Sequence, residues 1–124
     1  MSAKATVRDV GDVAIVDLAG RITLGEGSGV IRTTVKDLIA SGRKNVLLNL
    51  KDSSFFDSAG LGELVSAFAS VSNAGGHIKL LHVQGKVRDL LQVVRFYAVF
   101  PVFDDEATAV RSFSSSAAAG KLFL

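Results

Sequence analysis

Asn45-Val-Leu-Leu-Asn-Leu50 is followed, beyond the polar run Lys51 to Gly60, by Leu61, Leu64, Val65, Phe68 and Val71. The first segment is a short, nearly continuous apolar run, the mark of a strand covered on both faces or close to it. The second recurs at i, i+3, i+4, i+7 and i+10, a single helical stripe that stops at Asn73-Ala-Gly-Gly76. A buried strand feeding an amphipathic helix through a polar connection is half of a βαβ unit, so the flanking sequence decides whether a parallel sheet follows.

It does on the downstream side. His77 to Val83 reads as another apolar strand, and after Gly85 the residues Val87, Leu90, Leu91 and Val94 give a third helical stripe. Val99 to Phe103 is expected to be a last strand at an edge, because Pro101 cannot donate to a central ladder. Asp104-Asp105-Glu106 then puts acids in the first turn of a final helix carrying Ala107, Val110 and Phe113, where they suit the helix dipole. Upstream, Thr6 to Val10 and Val13 to Leu18 flank Gly11-Asp12 as a β-hairpin. A loop from Arg21 to Gly29 leads to a helix marked by Val30, Ile31, Thr34, Val35, Leu38 and Ile39 and closed by Ser41-Gly42. The expected fold is α/β, a single domain with a mixed four- to five-stranded sheet, an N-terminal hairpin and about four helices. Residues 1–113 form that domain, and 114–124 are a low-complexity C-terminal tail whose last residues, Lys121 to Leu124, are expected to fray.

The chain has 124 residues, enough for one core and too few for two ordinary domains. Its 48% hydrophobic content and formal charge of +2 are those of a globular domain, and the basic residues are scattered, which argues against nucleic acid as a partner. With no cysteine, disulfides and thiolate chemistry are excluded. No apolar stretch approaches the roughly 20 residues of a membrane span, and the start lacks a signal peptide, so a soluble cytoplasmic protein is expected.

Chemistry concentrates at Ser53-Ser-Phe-Phe-Asp-Ser-Ala-Gly-Leu-Gly-Glu-Leu64, at the carboxyl end of the sheet, where open α/β folds place their sites. Asp57 or Ser58 can cap the following helix. Phe55 and Phe56 before them, with the small Ala59 and Gly60 after, would also present the Ser58 hydroxyl on an open surface. There a phosphate would meet helix N–H groups. A hydrolase elbow is disfavoured, since Phe56-Asp-Ser-Ala-Gly60 lacks the first glycine of G-x-S-x-G, and no aspartate separates Ser58 from the histidines. His77 and His82 differ in strand parity and are expected on opposite faces, which leaves no metal site. Gly25-Glu-Gly-Ser-Gly29 lies too far from a strand for a dinucleotide fingerprint and is expected to be a flexible loop, with Ser28 near the helix start.

Asp57-Ser-Ala-Gly-Leu-Gly62 resembles the D-S-[SAT]-G-L-G phosphorylation motif of the STAS domain family, specifically of bacterial anti-sigma factor antagonists. Gly20-Arg-Ile-Thr23 looks like that family's turn after the second strand, Asn45 to Leu50 like its core strand, and Gly75-Gly76-His-Ile-Lys-Leu80 like its entry to the next strand. The resemblance covers about residues 4 to 113. It implies no catalysis and no cofactor. It further implies that the unmodified protein binds an ATP-dependent serine kinase that is also the anti-sigma factor, freeing the sigma factor. Phosphorylation of Ser58 would end the association, and a PP2C-type phosphatase would restore it. Carried over by position, Asp57, Ala59, Gly60 and Leu61 lie on the docking surface with Thr23 and Leu24, in a monomer or weak dimer without nucleic-acid or membrane partners. Thr23 departs from the acidic residue common at that turn, and Asn49 from the aspartate common in the core strand. The alternative within the family is a scaffold or transporter-associated module that acts by assembly without a serine switch.

Overall fold

The computed structural model describes residues 3–24, 27 and 29–122. Strand β1 (Lys4–Val10) and strand β2 (Val13–Ile22) form the antiparallel hairpin, with Gly11 at φ 59 in the turn, where a side chain would be strained. Helix α1 (Val30–Ala40), β3 (Asn45–Phe56), α2 (Ser58–Asn73), β4 (His77–Leu81), α3 (Gly85–Val93), a 3₁₀ turn at Phe96–Ala98, β5 (Val102–Phe103) and α4 (Glu106–Leu122) follow. The sheet order is β1-β2-β3-β4-β5, with every pair after the hairpin parallel. This is the expected mixed sheet with four α-helices, and the short β5 lies at its edge.

Alternation along the strands divides the core. Ala14, Val16, Leu18, Val46, Leu48 and Leu50 face α1, α2 and α3, whereas Val13, Ile15, Leu47 and Leu81 face Ala109 and Phe113 of α4. The right-handed crossovers of parallel strands thus place three helices on one face and leave α4 alone on the other.

Five boundaries differ from expectation. The polar loop Lys51 to Gly60 is mostly strand, since β3 runs to Phe56 and Asp52, Ser53, Phe55 and Phe56 pair with Ala19 to Ile22. Ladder hydrogen bonds and the complete burial of Ile22 and Phe56 outweigh the low strand propensity of a Lys-Asp-Ser-Ser run. Likewise β2 continues through Gly20 and Arg21, so the connection to α1 begins only at Thr23. β4 stops at Leu81, and His82 has φ 58, outside the strand, so strand parity does not govern where it points. The strand expected over Val99 to Phe103 shrinks to Val102–Phe103, because Phe96–Ala98 turns as a 3₁₀ helix and carries the chain to the edge. Asp105 lies before α4 rather than in its first turn, and its carboxylate accepts from the N–H and hydroxyl of Thr108, each at 2.8 Å. In the glycine-rich segment, Gly25, Glu26 and Ser28 lie outside the described residues. No helix among the described residues is long and apolar enough to cross a membrane.

Candidate functional site

The parallel strands deliver Phe56 and Ile22, both buried, to the carboxyl edge of the sheet, and α2 starts two residues later. Asp57, not Ser58, is the cap. Its backbone is extended, and its Oδ1 accepts the Gly60 N–H at 3.0 Å. Its Oδ2 accepts the Leu24 N–H at 3.1 Å, so one carboxylate fastens both the start of α2 and the segment after β2. The N–H groups of Gly60, Leu24 and Ala59 hold the Asp57 carboxyl below its usual range, keeping it anionic. The Asp57 carbonyl takes the Leu61 N–H at 2.9 Å. The first-turn donors expected to meet a phosphate are therefore already engaged by Asp57.

The motif's two glycines serve different ends. A Cβ on Gly60 would collide with the Ile22 carbonyl and press on the Phe56 ring, so only glycine lets α2 sit this close to β2. Gly60 is buried and supports the Ser58 pole from beneath. A Cβ on Gly62 would meet only open space.

Glu63 carries a role that motif reading missed. Buried at 7% exposure, its carboxylate accepts from the N–H groups of Gly29 (2.7 Å), Ile31 (3.1 Å) and Arg32 (3.3 Å). Helix α1 begins at Gly29, which has no capping side chain, and α2 supplies the missing acceptor. A signal was present, because Gly60, Glu63, Leu64, Ala67 and Val71 share the buried face of α2, and a carboxylate on such a face needs partners.

Ser58 is exposed at the first helical position, and its hydroxyl has no hydrogen-bond partner among the described residues. It stands on the rim of a mainly apolar groove of about 530 Å³, together with Phe55, Phe56, Leu61, Leu90 and Val93. Lys86 and Asp89 complete the wall from α3. Sequence reasoning missed this α3 wall, which belongs to a segment distant along the chain and brought alongside by the crossover. Leu24 sits at the same pole with its side chain 73% exposed, and Thr23 precedes it, half-buried. The Arg21 guanidinium lies 5.0 Å from the Phe55 ring centre. Ser58, Asp57, Ala59, Leu61, Thr23 and Leu24 are thus gathered at one end of the sheet.

The other chemical candidates lie elsewhere. His77 opens β4, which runs parallel to β3, so it sits at the pole opposite Ser58. His82 is beyond the far end of β4, its N–H donated to the Phe103 carbonyl. Among the described residues no cluster of three or more His, Cys, Asp or Glu could hold a metal. Asn49 donates to Asp17 (2.8 Å) and accepts from the Lys51 N–H (3.1 Å), a role within the sheet.

Residues 4–109 match the STAS domain family. An anti-sigma F factor antagonist from Paenibacillus polymyxa is 27% identical over 99 residues, spanning 79% of this chain and 84% of that protein. The structure of an anti-sigma factor antagonist from Mycobacterium paratuberculosis superposes with a TM-score of 0.80 at 17% identity, covering 91% of this chain and 95% of the other. That of the Bacillus cell fate determinant SpoIIAA in its phosphorylated form gives 0.68 at 19% identity, covering 88% and 98%. With the family match spanning most of the chain and the fold shared throughout, this protein belongs to the STAS domain family.

Proposed function

We propose that the protein is an anti-sigma factor antagonist, a binding module without catalysis of its own, whose partner is an ATP-dependent serine kinase that also acts as the anti-sigma factor. In this reading the unmodified protein docks through the Ser58 pole and frees the sigma factor. The observation that carries it is the Ser58 hydroxyl, exposed, unbonded among the described residues and set on the rim of an apolar groove. The antagonist role of the Paenibacillus relative and the existence of a phosphorylated structural neighbour support it.

The switch is a phosphoryl transfer. The Ser58 Oγ attacks the γ-phosphorus of ATP, the bond to the β-bridging oxygen breaks, ADP leaves, and the hydroxyl proton passes to a base on the kinase. A PP2C-type phosphatase reverses the modification by hydrolysis, returning the hydroxyl and inorganic phosphate. The added charge of about −1.5 to −2 falls beside the anionic Asp57 and next to apolar surface that the partner must cover. Burying such a group without a new cation costs several kcal/mol, and every 1.4 kcal/mol is tenfold in affinity. The fold itself is expected to be undisturbed, because Ser58 is exposed.

The test is intact-mass analysis of the protein incubated with ATP and a candidate serine kinase of the anti-sigma factor type. One added phosphate, mapped to Ser58 and absent in Ser58→Ala, is expected. Phosphate on another residue, or none under conditions where the kinase binds, contradicts the assignment.

A further inference from the structure

The groove beside Ser58 contains three charged side chains, Asp57 and Asp89 against the single cation Lys86. Lys86 lies in the first turn of α3, is exposed, and has neither an ion pair nor a hydrogen bond among the described residues. A phosphate on Ser58 would find few free donors on its own helix. The N–H groups of Ala59, Gly60 and Leu61 already go to Asp57, whose anionic carboxylate repels the newcomer. Lys86 is the cation on the groove lining itself, while Arg21, at the same pole, lies 5.0 Å from the Phe55 ring centre.

We propose that Lys86 is the positioning residue for phosphorylated Ser58, reaching across the groove from α3 to form an intramolecular ion pair that closes it. The inference rests on Ser58 being the phosphorylated residue and adds what the phosphate does once present. A lysine stem is apolar along its length and carries its charge at the tip. Drawn toward Ser58, it lies over the floor between Leu61 and Leu90. Phosphorylation then acts twice, placing a dianion at the rim and covering apolar surface that the unmodified protein leaves open. Asp89 opposes the device by competing for the same ammonium group, so the pair strengthens when that carboxylate is removed.

The test uses the full chain with phosphoserine installed at position 58 during synthesis, followed by ³¹P NMR through the second phosphate ionisation, which lies near pH 6 for free phosphoserine. Pairing with a cation favours the dianion and lowers the midpoint. In Lys86→Met the midpoint is expected to rise by about 0.5, roughly threefold in proton affinity, the scale of an exposed ion pair. Lys86→Arg should keep it low, and Asp89→Asn should lower it further. Equal midpoints in the parent and Lys86→Met overturn the pairing. Because Lys86 is exposed, these variants retain the fold, which circular dichroism verifies. Since the phosphate is installed without a kinase, a failed pairing is read separately from a wrong phosphoacceptor, which only the kinase experiment detects.

Discussion

Among the described residues, the face of the sheet under α1, α2 and α3 buries twenty apolar residues in one cluster. The face under α4 buries six among the described residues, and it also carries a polar network and the buried Lys79. In that network Arg8 reaches Asp17 at 2.6 Å and Glu106 at 2.6 Å, and Asn49 joins through Asp17. Lys79 donates to the carbonyl and hydroxyl of Ser112 at 3.0 Å each and lies 4.5 Å from the Phe113 ring centre. The first face is held mainly by hydrophobic burial, with the Glu63 and Asp57 carboxylates acting as helix caps, and it carries the Ser58 pole. The second is held in large part by charge. The Arg8 network lies on the face away from the groove.

The comparison breaks most visibly at Phe56. Replacing this fully buried ring by alanine should cost about 4 kcal/mol in chemical denaturation and spoil the groove with the fold. Gly60→Ala, which forces α2 away from Ile22, should cost about 3 kcal/mol by the same assay. Glu63→Ala leaves three N–H groups without their acceptor and should cost about 3 kcal/mol. Its signature is faster amide exchange at Ile31 and Arg32, with Glu63→Gln recovering part of the loss.

On the other face the expected effects are smaller and depend on conditions. Hydrogen bonds from Arg8 lower the carboxyl pKa values of both Asp17 and Glu106 from their ordinary 3.8 and 4.5. Groups depressed in the folded state stabilise it fully above those ordinary values and lose the contribution as pH falls through the lowered ones. Hydrogen exchange in α4 should therefore accelerate below about pH 4, whereas on the other face the acid response should be confined to the first turn of α2, whose Asp57 cap is lowered in the same direction. Arg8→Met should cost about 1 kcal/mol at neutral pH, because the network is partly exposed, and should blunt the acid effect. Simultaneous acid unfolding of both faces contradicts the division. The smallest change is Gly62→Ala, expected to stabilise α2 by about 0.7 kcal/mol because nothing opposes its methyl group.

What could be read in advance follows the same boundary between local and distant effects. The strands Asn45 to Leu50 and Val13 to Leu18, and the three helical stripes on the main face, announce themselves through apolar spacing. The cap at Asp57 is visible because its partner is three residues away. The extension of β3 to Phe56 was not visible, because its polar residues are strand only by virtue of pairing with Ala19 to Ile22. Gly60 reads locally as a flexible residue, and its real constraint is a carbonyl on another strand. The Ser58 hydroxyl was found from its motif. The apolar groove that gives it a context, built with Lys86, Leu90 and Val93, exists only after the βαβ crossovers bring α3 alongside α2.

If a single phosphate on Ser58 controls docking at this pole, calorimetric titration of the partner kinase with unmodified protein, Ser58-phosphorylated protein and Ser58→Ala separates the three forms. Tight binding is expected of the first and third, equal folding stability of all three, and at least a hundredfold weaker binding of the phosphorylated form, about 2.7 kcal/mol. Equal affinity of the phosphorylated and unmodified forms for the kinase would contradict that control.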